Sequence, residues 1–228
     1  MTMTRHMMRL LAAGALAVLA ACTGGDEQFS DQASAIEQVR QYLQAGNAET
    51  APEITVTRAL LNQLTVPSLE IVAESSGQKA FLVPFSRRGT VTIWRTAMDG
   101  QVVLRQGLVT ATRGLGGDLT SSDYAQPLTA LQRRAGTYQR RLYFNNSAGG
   151  QSRLTLSCTL SNLGPKRLEV VERSYNTHHL RETCMAGQDT ITNAYWIETS
   201  SGILRKSRQW VGPHIGYLNL RLLKSASE

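Results

Sequence analysis

The chain has 228 residues, of which 42% are hydrophobic and 18% are charged. This apolar content exceeds that of disordered chains, and 3 Cys are too few for a small disulfide scaffold. The 24 Lys and Arg residues against 17 Asp and Glu give a formal charge of +7, and the excess lies in residues 125–228, which carry 14 basic and 6 acidic residues.

The first 21 residues predict a signal peptide. Arg5 and Arg9 precede an apolar run over residues 10–21, which as a helix spans about 18 Å, whereas a bilayer core needs about 30 Å. The run ends in Leu19-Ala20-Ala21-Cys22, which resembles a bacterial lipobox, in which the Cys is acylated and becomes the mature N-terminus. The alternative is an ordinary signal peptide with a chance Cys.

The residues after Cys22 indicate where the acylated protein resides. Residues 22–30 predict a lipidated tether, and residues 31–228 predict a single β-rich periplasmic domain. An Asp after the acylated Cys commonly retains such proteins at the inner membrane, but here Thr23 follows, so we expect the periplasmic face of the outer membrane. The membrane is therefore one expected partner, and nucleic acid is not.

Three helices are expected in chain order. Residues 31–45 place apolar side chains on one stripe and end before Gly46, which predicts an N-terminal helix. Shorter helices are expected over residues 58–64 and 127–135.

The remaining segments are rich in Val, Thr and Ile and are separated by turn residues, which is typical of strands. Asp99-Gly100 is a strong hairpin signal, and 145–150, 163–165 and 200–202 predict further turns. The predicted strands are 69–73, 80–85, 90–97, 101–112, 137–144, 153–161, 167–174, 179–185, 190–199, 203–211 and 215–223. Short connections favour a mostly β fold, either an antiparallel sandwich or a partly closed barrel.

A faint repetition suggests two similar β halves. Trp94 lies six residues before Gly100, and Trp196 lies six residues before Gly202. Any pair of hairpins can share this pattern by chance, so both interpretations remain open.

Two cysteines remain after Cys22, namely Cys158 and Cys184. The periplasm is oxidising, so an even pair predicts a disulfide, with two buried free thiols as the alternative. Their spacing matches no zinc pattern, and we expect neither a metal site nor a cofactor.

Catalytic signatures are weak. The sequence has no Gly-x-Ser-x-Gly, and adjacent His178 and His179 would point to opposite faces of a strand. A glycan-modifying enzyme would need two converging carboxylates, for which Asp99, Asp118 and Asp123 are the candidates. Asp118 follows a Gly-rich stretch at 114–117, which is either a sharp turn or a binding loop.

The motifs together resemble one family. The lipobox, Trp94 with Asp99-Gly100, the segment 112–119 and the C-terminal run 196–213 are similar to the YjbF/GfcB family of group 4 capsule polysaccharide lipoproteins. The resemblance implies an outer-membrane lipoprotein with an antiparallel β fold and a role in exopolysaccharide or capsule production. It supplies no catalytic residue.

The favoured hypothesis is a non-enzymatic accessory of polysaccharide production or export. Its basic second half would meet an anionic polysaccharide or a protein of the export machinery. The alternatives are a periplasmic glycan-modifying enzyme and a plain structural lipoprotein. The candidate binding residues are Trp94, Arg113, Asp118, Trp196, Arg205, Lys206 and Arg208.

Overall fold

A computed structural model describes residues 56–145 and 150–228. The helices in this part are α1 Arg58–Gln63 and α2 Ala125–Arg133. The strands are β1 Ser68–Ala73, β2 Lys79–Arg88, β3 Val91–Thr96, β4 Gln101–Arg105, β5 Leu108–Arg113, β6 Leu119–Ser122, β7 Gly136–Asn145, β8 Gln151–Val170, β9 Arg173–Ala186, β10 Asp189–Glu198, β11 Leu204–Gly212 and β12 Gly216–Lys224.

The described strands form one antiparallel sheet in the order β5-β4-β3-β2-β1-β12-β11-β10-β9-β8-β7-β6. Two meanders, β1 to β5 and β6 to β12, meet where β1 pairs with β12, with Ile71 opposite Leu220. The sheet curls into a nearly closed barrel, so the predicted mostly β class with a partly closed barrel is confirmed. The first meander contains five strands and the second contains seven. Trp94 lies inside the barrel and Trp196 lies outside it, so the two tryptophans of the suggested repeat are not in equivalent positions.

Side chains close the barrel between its two edge strands, β5 and β6. The amide of Val109 on β5 donates to Gln209 Oε1 at 2.9 Å, and Gln209 Nε2 donates to the Gly107 carbonyl at 2.9 Å. Arg140 on β7 donates to the Val109 carbonyl at 3.4 Å. The backbone groups of an edge strand are thereby partnered without a β5–β6 ladder.

The main core fills the barrel interior with alternating apolar residues from both meanders. A second cluster lies at the far end of the β8–β9 hairpin, where Leu61 and Leu64 pack against Val170, Tyr175 and Leu223. Thr57 begins α1 by accepting a hydrogen bond from the Leu60 amide at 3.2 Å, which is typical helix capping.

Several predicted boundaries were wrong. The single strand 101–112 is divided at Gln106 and Gly107, whose φ values of 49° and 88° form a tight turn between β4 and β5. The predicted turn at 163–165 is a bulge, and β8 continues to Val170. The reversal occurs instead at Val171 and Glu172, which adopt left-handed φ values despite lacking the usual turn residues.

Other predictions have mixed outcomes. The helices expected at 58–64 and 127–135 correspond to α1 and α2, and β6 was not predicted. The signal peptide, Cys22, the tether and the helix 31–45 lie outside the described residues. Within the described residues, no helix is long and apolar enough to cross a bilayer.

Candidate functional site

An aromatic and basic surface lies on the outer face of β8 to β11. Burial alternates along β10, so Tyr195 faces the core and Trp196 faces outward. Trp196 stands opposite His179 and Lys206 in the sheet register. The imidazole of His179 stacks on the indole, with ring centroids 4.5 Å apart, and Lys206 Nζ lies 4.8 Å from the indole centroid. We call Lys166, His179, Arg181, Trp196 and Lys206 the Trp196 surface.

Positive charge surrounds the stack. The pKa of His179 is lowered, first by partial burial and then by the charges of Arg181, Lys166 and Lys206. The lowered pKa favours the neutral form of His179 at neutral pH. Among the described residues, none of these cations is ion-paired with a carboxylate, so the surface presents an uncompensated positive charge.

The other candidate arginines differ in availability. Arg205 is buried, with its guanidinium 2.9 Å from Glu198 and 3.4 Å from Glu228. Arg208 is paired with Glu74 through two 2.7 Å contacts. Arg113 is exposed at the end of β5. The charges of Arg205 and Arg208 are thus already compensated, whereas Arg113 remains accessible.

An apolar cavity of about 670 Å³ occupies one end of the barrel. Trp94, which is 7% exposed, lines it together with Thr92 on the same strand. The cavity is also lined by the apolar residues Leu69, Leu104, Leu128, Ile197, Leu204 and Leu222. Exposed residues of the β2–β3, β4–β5 and β10–β11 turns also line the cavity, so it opens to solvent at the end where these turns lie.

The charged residues that line the cavity are all basic, namely Arg87, Arg134, Arg205 and Lys206. No Asp or Glu among the described residues contributes to the lining. Arg205 and Lys206 are held by Glu198 and Trp196, respectively. Arg87 and Arg134 have no carboxylate partner in the described part of the chain, so they leave a positive charge at the cavity.

The Gly-rich loop lies at the opposite end of the barrel. Asp118 accepts hydrogen bonds from the amides of Gly114 at 2.7 Å and Leu115 at 3.1 Å, and from Thr112 Oγ1 at 3.0 Å. A Cβ at Gly117 would lie 2.3 Å from His214 Cβ. These contacts favour the sharp-turn interpretation, because Asp118 holds the loop and Gly117 allows it to pack on the β11–β12 turn.

The three carboxylates proposed for catalysis have different local partners. Asp99 pairs with Arg95 four residues earlier, and Asp123 lies 3.6 Å from Arg141. Asp118 is held by the loop that it closes. The three residues lie in three separate connections, β3–β4, β5–β6 and β6–α2, and each is engaged by a local partner of its own.

A different carboxylate, Glu182, is fully buried in the core. It accepts hydrogen bonds from Tyr138, from Asn193 at 2.5 Å and from Tyr195 at 2.8 Å, and Arg140 lies 3.5 Å away. Burial, followed by the negative charge of Glu182, raises the pKa of both tyrosines, so they remain neutral donors. The network links β7, β9 and β10, and its members are buried in the core, which indicates a structural role.

The predicted disulfide is present beside this network. Cys158 and Cys184 are directly opposite on β8 and β9, and their sulfur atoms are bonded at 2.06 Å. Both residues and Glu182 lie close enough together to suggest a metal site. Because the sulfurs are bonded to each other, neither is available as a thiolate ligand.

Sequence reasoning missed Arg181, Lys166, Arg87 and Arg134. Arg181 lies two residues after His179, and residues two apart on a strand share a face. This spacing could have predicted that the two side chains lie together. Arg87 lies near the end of β2 and Arg134 follows the last residue of α2, 47 positions later, and no local pattern brings them together.

Comparisons with known proteins agree with this architecture. The family model described as "Group 4 capsule polysaccharide lipoprotein gfcB, YjbF" matches residues 31–223. The fold is similar to that of the hypothetical lipoprotein YmcC from Escherichia coli K12, with a TM-score of 0.68, covering 84% of this chain and 96% of that chain. The two sequences are 18% identical, so this likeness concerns the fold alone. Among curated proteins, no sequence matches the chain.

Proposed function

Because the chain belongs to the YjbF/GfcB family of group 4 capsule polysaccharide lipoproteins, we propose that it is a non-enzymatic accessory of capsule or exopolysaccharide production or export. In this proposal, acylated Cys22 anchors it to the outer membrane, and the barrel lies on the periplasmic side. The barrel engages an anionic polysaccharide or a protein of the export machinery through the Trp196 surface.

The Trp196 surface is the observation that carries the proposal. Three cations, none ion-paired with a carboxylate of the described residues, surround a stacked Trp–His pair. Cations attract a polyanion over a distance of about 10 Å at 0.1 M salt, and a planar ring pair offers an apolar contact for a sugar face. This combination suits an acidic glycan.

The enzyme alternative receives less support from the geometry. Asp99, Asp118 and Asp123 each have a separate local partner, and Glu182 is enclosed in the core. A carboxylate that holds a turn or a buried network is not placed to exchange protons with a substrate.

Binding of polygalacturonate oligosaccharides tests the glycan part of the proposal. We expect Arg181→Gln combined with Lys206→Gln to weaken binding at least tenfold, because two of the three cations are removed. Binding of the unsubstituted protein should weaken as salt rises from 20 to 300 mM. Isothermal titration calorimetry measures both effects, and neutral dextran provides the uncharged comparison.

The matched control is Arg133→Gln combined with Arg153→Gln, which removes the same charge from exposed positions elsewhere. An equal loss of binding in this control would show that only net charge matters and would contradict a defined surface.

The anchor is tested separately by mass analysis of the mature protein, where an unmodified Cys22 thiol would refute acylation.

A further inference from the structure

The cavity of about 670 Å³ is too large to be an ordinary packing defect. Protein interiors are close-packed and contain few voids larger than a water molecule. The cavity volume lies instead within the range of about 300–1,000 Å³ that small-molecule sites occupy. An apolar occupant would be stabilised there, since burial removes its surface from water.

The distribution of charge specifies the occupant further. The lining is mostly apolar, with Trp94 and aliphatic side chains beside the buried Arg205 and Ser207, whereas Arg87 and Arg134 lie where the cavity meets solvent and have no carboxylate partner among the described residues. An apolar interior with a cationic opening is complementary to a molecule with an apolar chain and an anionic head. It disfavours a cationic amphiphile, because the head would meet like charge.

A lipid ligand agrees with the proposed membrane anchor at Cys22. Pro67 and Leu69 line the cavity at the start of β1, so the opening lies at the end where the chain enters the barrel. A protein held at the membrane by the proposed acylation of Cys22 would be close to anionic lipids.

From this geometry we propose that the cavity binds the hydrocarbon chain of an anionic lipid, with the head group at Arg87 and Arg134. The test of this inference does not use the Trp196 surface: Lys206 belongs to both sites, but the variants below change Trp94, Thr92, Arg87 and Arg134, which lie outside that surface. Either site can fail its test without affecting the other.

Tryptophan quenching by 12-bromododecanoic acid tests the proposal. Bromine quenches an indole only at short range, and Trp94 is the Trp residue among the cavity-lining positions. Residues 23–228 contain every described helix and strand, so the experiment uses this chain without the predicted lipid. We expect saturable quenching that disappears in Trp94→Phe and persists in Trp196→Phe.

Two further variants separate the roles of chain and head group. Thr92→Phe adds a ring beside Trp94 on a strand, where an aromatic residue is well tolerated, and should weaken binding at least tenfold.

Arg87→Gln combined with Arg134→Gln should weaken binding of the acid about tenfold while binding of 12-bromododecanol changes little. Arg133→Gln, on the neighbouring residue outside the cavity, is the matched control and should bind normally.

The outcomes decide the proposal. The 12-bromododecyl trimethylammonium cation should bind at least tenfold more weakly than the acid. Equal affinity for the cation and the acid would overturn the anionic specificity. Quenching that survives Trp94→Phe, or no quenching at all, would overturn the cavity as the site, including the case in which residues 23–55 of the chain itself fill it.

Discussion

Arg205 shows how a residue's surroundings determine its role. The sequence suggested a surface cation for ligand binding, but its side chain is 4% exposed between Glu198 and Glu228 and lies 4.2 Å from the Tyr175 ring centroid. Burial by itself would raise the pKa of the Glu198 and Glu228 carboxyl groups. Hydrogen bonds and the charge of Arg205 outweigh this effect and lower the pKa of each one.

Arg205→Met should change both the stability and its pH dependence. Removing one partner of a buried ion pair costs about 3–5 kcal/mol, so we expect a loss of roughly that size in the free energy of unfolding at pH 7. Because the folded-state pKa values of Glu198 and Glu228 are lowered, their stabilisation is present above the unfolded pKa near 4.5 and is lost as pH falls through the folded values. The variant should therefore lose less stability between pH 7 and pH 3 than the unsubstituted protein.

Urea denaturation at both pH values measures this difference. Arg133→Met removes an exposed arginine on α2 and should leave the pH dependence unchanged. Parallel pH profiles for Arg205→Met and the unsubstituted protein would contradict the assigned role of the ion pairs.

At the scale of elements, connections between strands explain most of the departures from prediction. The Gly-rich loop between β5 and β6 is held by Asp118 and packs on the turn that contains His214. Gly116 and Gly117 both adopt left-handed φ values, 83° and 77°. The two positions differ in the space around an added Cβ atom. At Gly116 no atom would lie within 4 Å of it, whereas at Gly117 it would lie 2.3 Å from His214 Cβ.

Gly117→Ala should destabilise the protein more than Gly116→Ala. Both substitutions place a Cβ in a left-handed conformation, which costs about 1–2 kcal/mol, and only Gly117→Ala adds a clash with the β11–β12 turn. We expect a lower melting temperature for Gly117→Ala, measured by circular dichroism. Equal melting temperatures would show that the loop does not depend on this close approach.

At the scale of the whole molecule, side chains rather than a continuous ladder close the barrel. Gln209 on β11 binds backbone groups of Val109 and Gly107, which lie about 100 positions earlier in the chain. Arg140 contributes from β7 and is itself held by Ser122 and Glu182. The closure is therefore coupled to the buried polar network.

Gln209→Leu should open this closure locally. The buried Val109 amide would lose its acceptor, at a cost of about 1–3 kcal/mol. We expect faster hydrogen exchange at β5 and unchanged exchange along the β8–β9 ladder, measured by mass spectrometry. Gln188→Leu, at an exposed turn position, is the control, and unchanged exchange at β5 in Gln209→Leu would contradict closure by side chains.

Features that depend on near neighbours could be predicted from the sequence alone. Strand alternation placed Thr92 and Trp94 on one face, Asp99-Gly100 marked a turn, and the Val- and Thr-rich segments identified an antiparallel β protein, because these signals act between residues close in the chain. It also paired Cys158 with Cys184 by elimination, and it resembled the right family. The sequence did not predict which arginines are buried in ion pairs, which cations surround Trp196 or where the cavity lies, because these depend on how the whole sheet folds. Contacts such as Gln209 with Val109 join residues about 100 positions apart, and no local periodicity encodes the way a sheet curls to bring them together.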